Sequence, residues 1–139
     1  MTRTATCQCR AFRAVVEGEP DLVGACHCEA CQRRTGAPFA VNAYFRKDSV
    51  LLEGDYRTFT RTIPEGRSIV NHFCPSCGST LCWTMDLRPG HYGIAVGAFN
   101  DPKFPPPTYS VWEETMHGWT TLPPGIEHFG QGRPASAIR

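Results

Sequence analysis

Short runs of apolar and β-favouring residues recur along this chain, and turn-forming residues cut between them. Ala11 to Val16 is one such run, closed by Glu17-Gly18-Glu19-Pro20, which predicts a strand and then a turn. Asp21 to Ala25 predicts a second extended segment. Phe39 to Phe45, preceded by Gly36 and Pro38, is rich in β-formers and predicts a third. Val50 to Leu52, Tyr56 to Ile63 and Ser68 to Phe73 continue the series, with Gly54 and Pro64-Glu65-Gly66 as punctuation. Leu81 to Met85, Tyr92 to Val96 and Tyr109 to Trp112 complete it.

Helical signals are few. Glu29 to Arg34 suits one turn after Cys28, while 12 prolines and 13 glycines interrupt every longer window. Asn100 to Thr108, with Pro102, Pro105, Pro106 and Pro107, reads as an extended connector, and residues 130–139 as a loose C-terminal tail. The expectation is a mainly-β, small single domain over residues 1–129.

Composition changes the picture at the cysteines. A chain of 139 residues buries roughly two-thirds of its unfolded surface, so it does not need cross-links to fold. The eight cysteines therefore need another reason. The opening MTRTATCQCRAF lacks the apolar stretch of about 7–15 residues that a signal peptide carries. No segment approaches the ~20 apolar residues of a membrane span. These features predict a cytoplasmic protein with no membrane partner, where clustered thiols bind metal more often than they form disulfides. A formal charge of +1 does not favour a nucleic-acid partner. Arg33-Arg34 and Arg46-Lys47 read as solvated surface.

Seven cysteines fall into three groups: Cys7-Gln8-Cys9, Cys26-His27-Cys28-Glu29-Ala30-Cys31 and Cys74-Pro75-Ser76-Cys77. Two residues between cysteines let both sulfurs of one tight turn reach one tetrahedral ion, and Gly78 suits a backbone folding back after the last pair. Two pairings remain open. Cys28/Cys31 with Cys74/Cys77 makes a ribbon-like site and leaves Cys7, Cys9 and Cys26 without a role. Cys7/Cys9 with Cys74/Cys77 makes a four-thiolate site and leaves Cys26, Cys28 and Cys31 as a three-thiolate cluster. Ligand counting favours the second, because it uses all seven. It also separates a closed, structural Zn²⁺ from one with an open coordination position.

CQC, CHCEACQRRTGAPF, LLEGDYRTF, FCPSCGSTL, GAFNDP and VW followed by GW, in that order, resemble the glutathione-dependent formaldehyde-activating enzyme family, also grouped with centromere protein V. The resemblance runs from about Thr6 to Phe129. It implies an Mss4-like β-tent fold, a structural zinc on Cys7, Cys9, Cys74 and Cys77, and a second zinc on Cys26, Cys28 and Cys31 near bound glutathione. The implied activity is formation of S-(hydroxymethyl)glutathione from formaldehyde and glutathione, a carbon–sulfur lyase reaction. Two positions depart from the family pattern. Ser110 stands where relatives commonly carry a histidine before the V-W pair, and His72 stands near a common arginine.

Under that reading Cys26, Cys28 and Cys31 are the catalytic group. Three thiolates would give their Zn²⁺ site a charge of −1 and make it a weak Lewis acid, so delivery of a thiol is the expected role. The alternative is a non-catalytic zinc module serving a protein or small-thiol partner, which a fourth ligand would favour. Cys82, His27 and His117 are the candidates for that ligand. Cys82 in Leu81-Cys82-Trp83 reads first as a small buried hydrophobe, and His27 as a packed histidine. A redox or storage role for the second cluster ranks last, because a βαβ context is lacking. Trp83, Trp112, Trp119, Phe99 and Phe104 read as packing residues.

Overall fold

Thr2–Thr6 contains one apolar residue, Ala5, yet it forms the first strand, β1, of the computed structural model, which describes residues 1–134. It pairs antiparallel with β2 (Arg13–Glu17), Ala5 facing Ala14, and β2 pairs with β5 (Val50–Glu53), Ala14 facing Leu52. Ala5, Ala14 and Val16 are buried while Arg13 and Glu17 are exposed, the alternation of a sheet with one covered face. The other strands are β3 (Leu22–Cys26), β4 (Ala40–Arg46), β6 (Arg57–Thr62), β7 (Ser68–Phe73), β8 (Thr80–Met85) and β9 (His91–Ala95). After them come β10 (Tyr109–Val111) and β11 (Glu127–His128). Among the described residues one α-helix, α1, spans Glu29–Thr35.

Backbone proximity divides the chain into two compact units. Met1–Asp21 and Ala43–Phe104 make the first; Leu22–Asn42 and residues 105–134 make the second.

The first unit holds the β1-β2-β5 sheet and an antiparallel meander in the order β9-β8-β7-β6. Leu81, Cys82, Trp83 and Ile94 are buried in the meander, and β6 at its edge is almost wholly exposed. The β7–β8 ladder slips between His72 and Phe73, just before the chain enters the Cys74-Pro75-Ser76-Cys77 turn. Phe12 is fully buried and stacks on Tyr56 at 5.3 Å, while Phe99 stacks on Phe104 at 4.7 Å. Each buried ring contributes about 1.5–3 kcal/mol of transfer free energy.

In the second unit β10 lies between β3 and β11, parallel to both. The register sets Tyr109 beside Gly24, Ser110 beside Ala25 and Val111 beside Cys26. Gly24 is required there, because a Cβ would overlap the Tyr109 ring. Helix α1 starts at Cys28 and stops at Gly36, whose φ of 69° is the left-handed conformation of a helix C-terminus.

The mainly-β expectation is met, and the predicted strands lie within a residue or two of the observed ones. Two differences have physical causes. The connector from Asn100 begins as a turn: the Asp101 side chain accepts from the Lys103 N–H at 2.9 Å, and Phe104 N–H closes on the Asp101 carbonyl. The start of the expected tail is held: Trp112 N–H donates to the Gln131 carbonyl at 3.0 Å, and Arg133 sits 4.7 Å over the Tyr109 ring. The rest of that tail, 135–139, lies outside the described residues. No helix among the described residues is long and apolar enough to cross a membrane.

Candidate metal centres

Within the first unit, the ends of two hairpins bring four sulfurs together. Cys7 leaves β1, and its N–H donates to the Phe12 carbonyl at 2.9 Å, so the β1–β2 loop folds tightly around Cys9. Cys74 and Cys77 sit on the turn between β7 and β8. That turn closes through Gly78 N–H to the Cys74 carbonyl at 2.8 Å, with Gly78 at φ 79°. The sulfurs of Cys7 and Cys9 are 3.6 Å apart, as are those of Cys9 and Cys74, and all four lie within 4.8 Å of one another. A tetrahedral ion with metal–sulfur bonds of about 2.3 Å sets its sulfurs about 3.8 Å apart, so the group fits zinc.

Donors already surround these sulfurs. Phe12 N–H donates to Cys7 Sγ at 3.3 Å and Ser76 N–H to Cys74 Sγ at 3.4 Å, while the Cys77 thiol itself donates to the Ser79 hydroxyl at 3.3 Å. The Ser79 hydroxyl and neighbouring N–H groups pull the Cys77 thiol down to about 5, and backbone N–H groups lower Cys74. Cys9 moves the other way, to about 11: the Ala11 backbone pulls it down, but the sulfurs of Cys74 and Cys7 outweigh that. Four thiols this close can ionise together only around a cation, which is the chemistry of a metal site.

The second unit assembles three. Cys26 ends β3, and His27 N–H extends the β3–β10 pairing by donating to the Val111 carbonyl at 3.1 Å. Successive side chains of an extended segment point to opposite sides. His27 therefore turns inward, where it is fully buried, and Cys26 and Cys28 share the other side. Cys28 then caps α1, its sulfur accepting from Cys31 N–H at 3.3 Å, and the first helical turn returns Cys31 to the pair. The three sulfurs lie within 4.8 Å of one another. Contact with Cys28 and Cys31, together with burial, pushes the Cys26 thiol far above its ordinary range. Cys31 is raised too: Cys26 pulls it down, but Cys28 and burial prevail. Again a cation is what would let these groups ionise together.

Among the described residues, no His, Cys, Asp or Glu ligand atom joins these three sulfurs at that range. The fourth-ligand candidates stand elsewhere. Cys82 is buried in β8, its thiol pushed up to about 12 by burial. His117 meets Gln32 Oε1 at 3.1 Å, and His27 Nε2 meets Ser110 Oγ at 2.9 Å. Burial lowers the His27 pKa, with the nearby Glu113 charge opposing it. Burial also lowers that of His72 in the first unit, whose Nδ1 lies 3.2 Å from the Val70 carbonyl. Gln32, inside the CHCEACQRRTGAPF motif but given no role there, and Thr115 and Glu113, outside the quoted motifs, surround the His27 segment. Gln32 Nε2 and Thr115 Oγ1 both donate to the His27 carbonyl, at 2.8 and 2.7 Å.

A family model described as glutathione-dependent formaldehyde-activating enzyme matches residues 2–115. The chain belongs to this family. All seven grouped cysteines of this glutathione-dependent formaldehyde-activating family member, and Ser110 and Glu113, fall inside the matched span. No curated protein matches the chain. Among solved structures, a Rhodobacter sphaeroides protein determined by crystallography as a Northeast Structural Genomics target is similar, with 23% identity and a TM-score of 0.55. The likeness covers 72% of this chain and 92% of that one, and at this identity it concerns the fold alone.

Proposed function

We propose that the protein is a cytoplasmic, zinc-dependent enzyme of the carbon–sulfur lyase class that joins glutathione to formaldehyde as S-(hydroxymethyl)glutathione. Family membership supports the two reactants. The observation that carries the reading is the three-sulfur group Cys26, Cys28 and Cys31, which no fourth ligand among the described residues completes. In this reading Cys7, Cys9, Cys74 and Cys77 hold a structural zinc, and the three-sulfur group holds a second zinc with one position for an outside thiol. Two thiol-rich centres also call for a reducing compartment.

When bound, the second zinc supplies a preference for thiolate over thiol and a modest pull on the aldehyde oxygen, modest because three cysteinates leave the site at −1. The chain's own contribution is positioning. Cys26 and Cys28 face one side because His27 is drawn to the other, and the α1 turn sets Cys31 against them. In the reaction the glutathione sulfur bonds to the aldehyde carbon, the C=O π pair moves to oxygen, and oxygen takes up the proton the thiol gave up.

The test supplies glutathione and formaldehyde and follows adduct formation above the uncatalysed background. Cys28→Ser should remove the excess rate and one of two bound ions while leaving the circular dichroism intact. A folded Cys28→Ser protein with an undiminished rate overturns the reading. Two ions of equal chelator resistance would instead favour a non-catalytic module.

A further inference from the structure

We infer that Ser110 and Glu113 are positioning residues for the three-cysteine group, acting through the ring of His27. The inference rests on the proposed function only in taking that group for a metal site. His27 and Ser110 are both fully buried, and Nε2 meets the hydroxyl at 2.9 Å. The parallel pairing of β3 with β10 makes this contact, since it sets Ser110 beside Ala25 and Val111 beside Cys26. The His27 N–H and carbonyl are also committed, to Val111 on one side and to Gln32 and Thr115 on the other. Its Nδ1 is the one polar atom of the residue without a partner.

The chain of contacts continues past Ser110. Glu113 faces the Ser110 hydroxyl, which helps keep its carboxylate ionised, and its Oε2 meets His128 Nδ1 at 2.7 Å. The backbone fixes both partners: Phe129 N–H donates to the Ser110 carbonyl at 2.9 Å, and Glu113 N–H to the Phe129 carbonyl at 3.1 Å. A carboxylate only accepts. Facing it, the Ser110 hydroxyl turns its proton to Glu113 and offers a lone pair to His27, so the ring carries its proton on Nε2. The bare atom is then the Nδ1 lone pair. The other tautomer would bury an N–H with no acceptor, the costlier orphan. Ser110 and Glu113 thus fix both the tautomer and the depth of the ring. Because His27 stands between Cys26 and Cys28 in an extended segment, that depth sets the direction of both sulfurs.

The experiment uses the full chain with its metals as purified, labelled with ¹⁵N for ring-nitrogen spectra. The wild type should show His27 protonated on Nε2. Ser110→Ala should mix the tautomers and speed chelator release of the ion held by Cys26, Cys28 and Cys31 about tenfold, the other ion serving as internal control. Glu113→Ala, at the more open end of the chain of contacts, should act in the same direction, and it decides the matter if Ser110→Ala fails to fold. A wild-type His27 protonated on Nδ1, or unchanged tautomer and release in the folded variants, overturns the inference. A wild type that binds only one ion sinks the proposed function instead, and the tautomer spectrum still judges this inference.

Discussion

The sulfurs of Cys9 and Cys74 stand 3.6 Å apart although 65 positions separate them in the chain. One lies on the β1–β2 loop and the other on the β7–β8 turn, so an ion bound by both would tie two sheets of the first unit together. Structural zinc sites contribute folding free energy outright, since the unfolded chain has no preformed site. Losing about 3 kcal/mol of it would lower the Tm of a chain this size by roughly 10 °C. Cys74→Ser should show at least that drop in a thermal melt followed by circular dichroism. A melt within about 2 °C of wild type would mean that the four sulfurs hold nothing that matters to stability.

Cys82 separates ligand from filler. Its sulfur is buried in β8 and belongs to neither group. Cys82→Ala should therefore leave metal content unchanged and cost about 1–2 kcal/mol through lost packing. Elemental analysis beside a urea titration checks both halves. A lost ion would make Cys82 a ligand.

Nine of the strands were legible because Val, Ile, Phe, Tyr and Thr cluster between turn residues, and the grouping of the seven cysteines because close spacing brings their sulfurs within reach of one another. β1 was not legible: Thr2–Thr6 buries little but Ala5, so its place comes from pairing with β2 rather than from its own pattern. β11, two exposed residues, is too short to carry any period. The partnership of His27 with Ser110 could not be read either. It joins residues 83 apart through a parallel register that no local signal encodes. Ser110 was visible only as a departure from a family pattern, and Glu113 not at all.

Glu113 should give the second unit an acid-sensitive component. Burial pushes its carboxyl up, but Ser110 and His128 together pull it below its ordinary 4.5. A depressed folded-state pKa means the ionised form is favoured by folding, so its stabilisation is present above 4.5 and fades as pH falls below that, through the folded value. The groups facing it are Ser110, His128 and, further in, His27. Glu113→Gln lacks the ionisation. The stability gap between wild type and Glu113→Gln, taken from urea midpoints, should be constant above 4.5 and close as acid is added. A gap that widens in acid would reverse the sign argued here.

Two centres with different numbers of sulfurs should also part with their ions differently. Four thiolates enclose an ion and leave an incoming chelator no position to occupy, whereas three leave one face for it to enter before any protein ligand departs. The N–H groups placed against Cys7 and Cys74 further favour thiolates at the four-sulfur centre, and thiolates hold a cation more tightly than thiols. Release into a coloured chelator should therefore be biphasic with equal amplitudes. Cys28→Ser should remove the fast phase and Cys77→Ser the slow one. On the proposed reading glutathione should alter the fast phase alone, because its thiol would take the position that three sulfurs leave open. A single phase that both substitutions slow alike would show the two groups to be one kind of site, and the difference in sulfur count would then carry no functional meaning.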